Sequence, residues 1–274
     1  MKALARSLAE HPRVAGVVEL ARRCIARTIE VEFVDRAIAL ASLTFTALIP
    51  LGVVVSAVVP GIDQDGLAKS IDDRFHLDAD TAKIVDSVFA PPSDVKQTVS
   101  IIGVALLIGS ALSFTRGMQR VYERAWQLPA LGVRATPAGL VWILGLVVFI
   151  SIFGGIRSAV IDSSRPIVSV ITALVFAAAV WLGSPWILLS RRVAWRLLMP
   201  TALLTAVAMS ALSVAAVIYM PRSIADSAER YGPIGVAISL VSFFVAAGFV
   251  IVVCAAVGAV LGEHVADRER KVAP

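Results

Sequence analysis

Six long stretches without a single charged residue constrain this chain more than any other feature. They run from Ala37 to Val59, Gln97 to Thr115, Ala135 to Ile156, Pro166 to Ser190, Leu197 to Pro221 and Tyr231 to Gly262. An α-helix needs about 20 apolar residues, rising 1.5 Å each, to cross roughly 30 Å of hydrocarbon, and every stretch meets or approaches that length. None shows the two-residue alternation of a membrane β-barrel strand. The first stretch alone holds twelve Leu, Ile, Val or Phe residues and should insert without help from its neighbours. The whole chain is 58% apolar with only 16% charged side chains, and the long runs leave only short polar connections, so one membrane domain is expected. The expected fold class is all-α: an integral membrane bundle of six transmembrane helices, with a segment at 1–35 before it, a membrane domain at 36–262 and a tail at 263–274.

Orientation follows from the distribution of Lys and Arg. Residues 1–36, the second and fourth connections and the C-terminus together carry seventeen, against eight on the opposite side. The excess predicts both termini in the cytoplasm. Residues 60–96, the one sizeable outer loop, agree with this, since eight aspartates there outnumber four basic residues. Within that loop Asp78-Ala-Asp-Thr reads as a helix start, with Ile84, Val85, Val88 and Phe89 on one face before Pro91-Pro92 ends it. Near the N-terminus Val17, Leu20, Ala21, Cys24, Ile25 and Ile29 form an apolar stripe, with Glu19, Arg22, Arg23, Arg27 and Glu30 directed elsewhere. Such a helix either lies in the interface beside anionic lipid or packs on the cytoplasmic end of the bundle. Residues 1–35 also lack the apolar region and cleavage site of a signal peptide.

Soluble-enzyme motifs are missing: there is no phosphate-cradling G-x-x-x-x-G-K-[ST], no H-E-x-x-H, no G-x-S-x-G and no paired C-x-x-C. His11, His76 and His264 fall in three separate polar segments, two inside and one outside, which argues against a shared metal site. Cys24 and Cys254 give no disulfide framework. The chain is therefore read as a non-enzyme without cofactor, and its +5 charge as topological rather than nucleic-acid binding. No span interior carries an acidic residue for proton coupling, so only Asp35 and Glu263 at span ends remain for that role.

Charged positions nearest the membrane are the binding candidates. After the second span no proline intervenes before Pro129, so the helix can continue with Arg116, Gln119, Arg120 and Glu123 on neighbouring turns. Such a face suits the phosphate or carboxylate of an anionic lipid. Alternatively the arginines only mark topology, with Arg120 paired to Glu123. Arg157, after Gly154-Gly155, is a second and weaker binding candidate. Pro50, Pro185 and Pro200 interrupt spans one, four and five, as in cavity-lining broken helices or in tolerated kinks. The last stretch is too long to be one span, so Tyr231-Gly-Pro-Ile-Gly235 is expected to be a turn or shallow re-entrant entry. Gly258-x-x-x-Gly262 permits close helix contact.

Ala39-Leu-Ala41 with Ala47-Leu-Ile-Pro50-Leu in span one, then Met118-Gln-Arg120-Val-Tyr-Glu-Arg124-Ala-Trp126-Gln-Leu-Pro129, then Tyr231-Gly-Pro-Ile-Gly235, occur in that order. Over roughly residues 20–265 the chain resembles the YihY/BrkB inner-membrane family, its YhjD-like branch above all. The resemblance implies a multi-pass inner-membrane protein, with an envelope lipid or amphiphile as substrate class. It also brings an old ribonuclease label, which these loops do not support because they lack clustered carboxylates and a His pair. Pro50, Arg120, Trp126, Tyr231 and Gly235 match the family pattern and carry over as structural or gating candidates, beside Pro185. Departures occur at Ser42-Leu43 and Ala47, where many members have tyrosines and a serine, and at Cys254-Ala-Ala256, where many have Gly-Ala-Glu. Lipid transport or flipping is thus the leading expectation, and a non-transporting envelope scaffold the alternative. A homo-oligomer or partner subunit stays open.

Overall fold

The structure, a computed structural model, describes residues 12–58, 72, 75, 77, 79–89, 98–161 and 166–272. Among the described residues, the long α-helices are α1 (Pro12–Glu30), α2 (Phe33–Val58), α3 (Ala79–Phe89), α4 (Thr98–Ala125), α5 (Thr136–Ile161), α6 (Pro166–Leu188), α7 (Trp195–Tyr231) and α8 (Pro233–Val272). A single 3-10 turn at Gly132–Ala135 leads into α5, and no strand occurs among the described residues. Six helices, α2 and α4 to α8, coincide with the six uncharged stretches. Among the described residues, three regions (Gly132–Phe149, Trp195–Tyr231 and Pro233–Arg270) are long and apolar enough to cross a membrane, and Val175–Leu188 is a shorter apolar helix.

The helix contacts order these six into a ring, α2–α8–α7–α6–α5–α4 and back to α2. Small residues make the tightest approaches. A methyl group on Gly258 would collide with Thr201, one on Gly262 with Leu197 and the Trp126 ring, and one on Gly248 with the Ala37 backbone, so α8 lies almost backbone to backbone on α7 and α2. The G-x-x-x-G pair expected to permit close contact does make it. Outward from the ring, Leu106, Leu144, Val148, Val175, Val207 and Ile218 are all about half exposed or more. Apolar side chains around a bundle at this density require lipid rather than water.

Two apolar clusters fill the ring. One, around Met118, Tyr122, Trp126, Leu188, Leu198 and Val252, occupies the end where α1, α4 and α6 finish. This arginine-rich end is called the basic end below. The other gathers Met220, Ile224, Ala228, Val236 and Leu240 at the α7–α8 hairpin, with Phe75 and Val85 closing over them. The loop helix expected from Asp78 onward is thus α3, and it packs on α7 and α8. Val88 and Phe89 belong to α3, but their side chains and Pro91-Pro92 lie outside the described residues.

The connection before the last span departs from expectation. Residues 222–230, which separate two uncharged stretches and are expected as an outer connection, are instead the end of α7, which runs unbroken through Tyr231. The turn or re-entrant entry expected within Tyr231–Gly235 is a turn between α7 and α8, which starts at Pro233. Gly232 alone makes the turn, with φ of 59° and its N–H donating to the Ala228 carbonyl at 2.8 Å. Glycine takes that left-handed conformation without strain, and proline suits the first position of the helix that follows. The physical reason is the four-residue recurrence of Ala216, Met220, Ile224 and Ala228, all buried, which keeps the segment helical despite Arg222, Asp226, Glu229 and Arg230. At the other end α8 continues through Val272, so most of the residues expected as a tail are helix.

Candidate functional site

At the basic end, α4 continues past its apolar stretch to Ala125 as the missing proline allows. Burial divides the face expected there. Gln119 and Glu123 are buried, while Arg116 and Arg120 are exposed on the same helix. Arg116 reaches the Thr136 hydroxyl at the start of α5, at 3.4 Å. Arg120 makes no hydrogen bond or ion pair among the described residues. Two guanidinium groups one turn apart thus stand open at the boundary of the bundle, suited to a planar anionic group.

Glu123 is not paired with Arg120. Its Oε1 accepts from Arg192 at 2.7 Å, from Gln119 at 2.9 Å and from the Leu131 N–H at 3.0 Å. Arg192 also donates to the Pro129 carbonyl at 2.8 Å and the Leu189 carbonyl at 3.1 Å. One carboxylate thereby joins the end of α4, the loop into α5 and the turn between α6 and α7. A buried ion pair of this kind holds only because its remaining donors and acceptors are also satisfied.

A second latch lies beside it. Arg27, expected to point away from the apolar stripe of α1, turns into the bundle and grips Glu263 with two parallel hydrogen bonds of 3.0 and 3.1 Å. It also donates to the Ala125 carbonyl, and Arg23 adds a longer contact to Glu263 at 3.7 Å. Glu263, a candidate for proton coupling, is therefore engaged in joining α1 to α8. Much of the α1 stripe stays open: Val17, Ile25 and Ile29 are each more than 60% exposed and Ala21 is exposed too, whereas Leu20 and Cys24 are partly covered. Burial also pushes the Cys24 thiol above its usual range.

Trp126 is buried against Gly262 at the end of α4, and its indole N–H finds no partner among the described residues. Pro185 is buried near the end of α6, where its carbonyl accepts from the Leu189 N–H at 2.9 Å. Gly235 packs onto the Ser227 carbonyl, and Tyr231 is exposed beside it. Pro50 lies within α2 and Arg157 within α5, but their side chains fall outside the described residues. The structure gathers Gln119 and Trp126 at the basic end with Arg116 and Arg120. Tyr231 and Gly235 lie at the opposite, hairpin end. No group of three His, Cys, Asp or Glu side chains converges as metal ligands among the described residues.

A cavity lies at that hairpin end. It occupies about 330 Å³ between α7 and α8, floored by Ala216, Met220 and Phe243 and edged by Tyr219, with Ser223, Ser227, Ser239 and Ser242 in its wall. A smaller one of about 140 Å³ lies between α5 and α6, where the Trp142 indole donates to the Ser184 hydroxyl at 2.9 Å. Sequence reading passed over the serines. Their signal was spacing, at i and i+4 on α7 and at i and i+3 on α8, in two stretches that the single-residue turn folds face to face.

Residues 24–274 match the family of the virulence factor BrkB. The chain belongs to that family. As a BrkB family protein with apolar helices of membrane-spanning length, it is a multi-pass membrane protein. No curated protein and no solved structure matches it.

Proposed function

We propose that this BrkB family protein is a six-span inner-membrane protein with both termini in the cytoplasm, and that it moves a lipid or amphiphilic envelope molecule across the bilayer. The basic end then faces the cytoplasm and the hairpin end the outside. The observation that carries the reading is the cleft between α7 and α8. It falls in the size range of small-molecule sites and is partly open along two helices whose outer faces meet lipid. Arg116 and Arg120 supply a separate contact for anionic headgroups at the opposite, cytoplasmic surface. In a partly desolvated setting such a charge-assisted contact contributes about 1.5 to 3 kcal/mol.

The test replaces both arginines by lysine, which keeps the positive-inside signal and removes planar bidentate geometry. Cysteines at Asp72 and Asp267 control for insertion: only the first should label with an impermeant thiol reagent in intact cells. A correctly inserted lysine variant should bind anionic lipid roughly tenfold more weakly and complement a deletion strain poorly. Wild-type behaviour in both assays would leave these arginines as topology markers and favour the scaffold alternative.

A further inference from the structure

The hydroxyls in the α7–α8 cleft are arranged with a polarity. Ser239 donates its hydrogen to the Ser223 carbonyl at 3.1 Å, Ser242 donates to the Ile238 carbonyl at 2.8 Å, and Ser223 leans on the Ser239 oxygen at 3.5 Å. Three of the four serine hydrogens are thereby committed within the protein, and what these groups offer a ligand is lone pairs. Ser227 and the phenol of Tyr219, the latter 68% exposed, add to the polar lining, and none of the described lining residues is charged.

A ligand headgroup for this wall must therefore bring donors of its own and carry no net charge. A phosphate monoester brings acceptors and negative charge, with no cation in the lining to meet it. A quaternary ammonium has charge but no N–H, and a primary ammonium would need a carboxylate that the lining lacks. Sugar or polyol hydroxyls both donate and accept, and so match the serine lone pairs as well as the Ser227 and Tyr219 hydroxyls. The apolar remainder of the cleft, from Leu212 to Phe243 and Ala246, suits the start of an acyl chain. We infer that this cleft binds an uncharged, hydroxyl-rich headgroup on a lipid tail, with the glycosyl glycerolipids as the matching chemical class. The assignment rests on the proposed lipid handling but concerns binding only, so it can stand or fall independently of transport.

The full-length protein, reconstituted in phosphatidylcholine vesicles containing a tenth of either glucosyl-diacylglycerol or phosphatidic acid, is extracted gently and its retained lipid is counted by native mass spectrometry. Phosphatidic acid, which the Arg116–Arg120 face binds, serves as the control for the other end of the bundle, and the cleft is read from the retention of glucosyl-diacylglycerol. Removing Ser239 and Ser242 together as alanines should lower that retention about three- to tenfold per hydroxyl. Ser242→Thr, which keeps the hydroxyl, should retain most of it, and Ala246→Trp should abolish it by filling the apolar part. Melting temperatures of the variants exclude unfolding as the cause. Excess free glucose should not compete, because it lacks the tail. Phosphatidic acid retention that falls with the cleft serines, unchanged glucosyl-diacylglycerol retention in the double alanine variant, or full competition by free glucose would each overturn the assignment. A transport assay that fails while glucosyl lipid is still retained would sink the proposed transport and leave the cleft's specificity in place.

Discussion

The two ends of the bundle are closed by different chemistry. At the basic end Glu30, Glu32, Glu123 and Glu263 each take a partner from another part of the chain: Gln127, Arg124, Arg192 and Arg27 respectively. At the hairpin end the Ser223–Ser239 pair and an exposed Asp80–Lys83 contact within α3 sit beside apolar packing, with Gly235 seated on the Ser227 carbonyl. Chain connectivity accounts for the difference. A single glycine joins α7 to α8 and covalently fixes their register, so packing is enough there. The basic end has to align three separate junctions, α1 to α2, α4 to α5 and α6 to α7, whose members are far apart in sequence. Directional, charge-assisted bonds supply the alignment.

Removing a buried carboxylate should show the contrast most strongly. Glu123→Ala leaves Arg192 partly buried without its partner and frees Gln119 and the Leu131 N–H, which should cost about 3 to 5 kcal/mol. The measurement is the melting transition of the detergent-solubilised protein. A loss below about 1 kcal/mol would mean that packing alone holds this end too. The counterpart at the hairpin end is Gly235→Ala, whose methyl group meets backbone rather than a movable side chain. It should cost about 1 to 3 kcal/mol by the same melt. Ionic strength should leave that loss unchanged, since no charge is involved. The smallest effect belongs to Lys83→Ala: both partners of its ion pair are more than three-quarters exposed, and stability should move by less than about 0.5 kcal/mol. A larger loss would indicate that α3 is held by charge and not by Phe75 and Val85.

The same contrast governs what could be read from sequence. Periodic, local features were legible, because their signal lies within one helix: α3 from Asp78 onward, and the run of α4 to Ala125. The extension of α7 was also written in the sequence, as Ala216, Met220, Ile224 and Ala228, but four charged residues over 222–230 suggested a loop instead. Long-range pairing left no local trace. Arg120 stands three residues before Glu123 and looked the natural partner, yet the carboxylate faces inward and meets Arg192, 69 positions away. Arg27 and Glu263 are 236 positions apart. The cleft was hidden for a related reason, since serines in apolar helices read as filler until the turn at Gly232 sets them opposite one another.

The 40 residues of α8 make a rod about 60 Å long, roughly twice the hydrocarbon thickness. Its contacts with α2 and α7 and its Arg27 clasp are distributed along that length, and no proline interrupts it after Pro233. Such a rod joins the two ends of the bundle in one unbroken element. Pivoting about its middle by some ten degrees would carry each end about 5 Å in opposite directions. Any tilt of α8 at the hairpin is thus also a displacement of Glu263 and of the Arg27 bonds it holds.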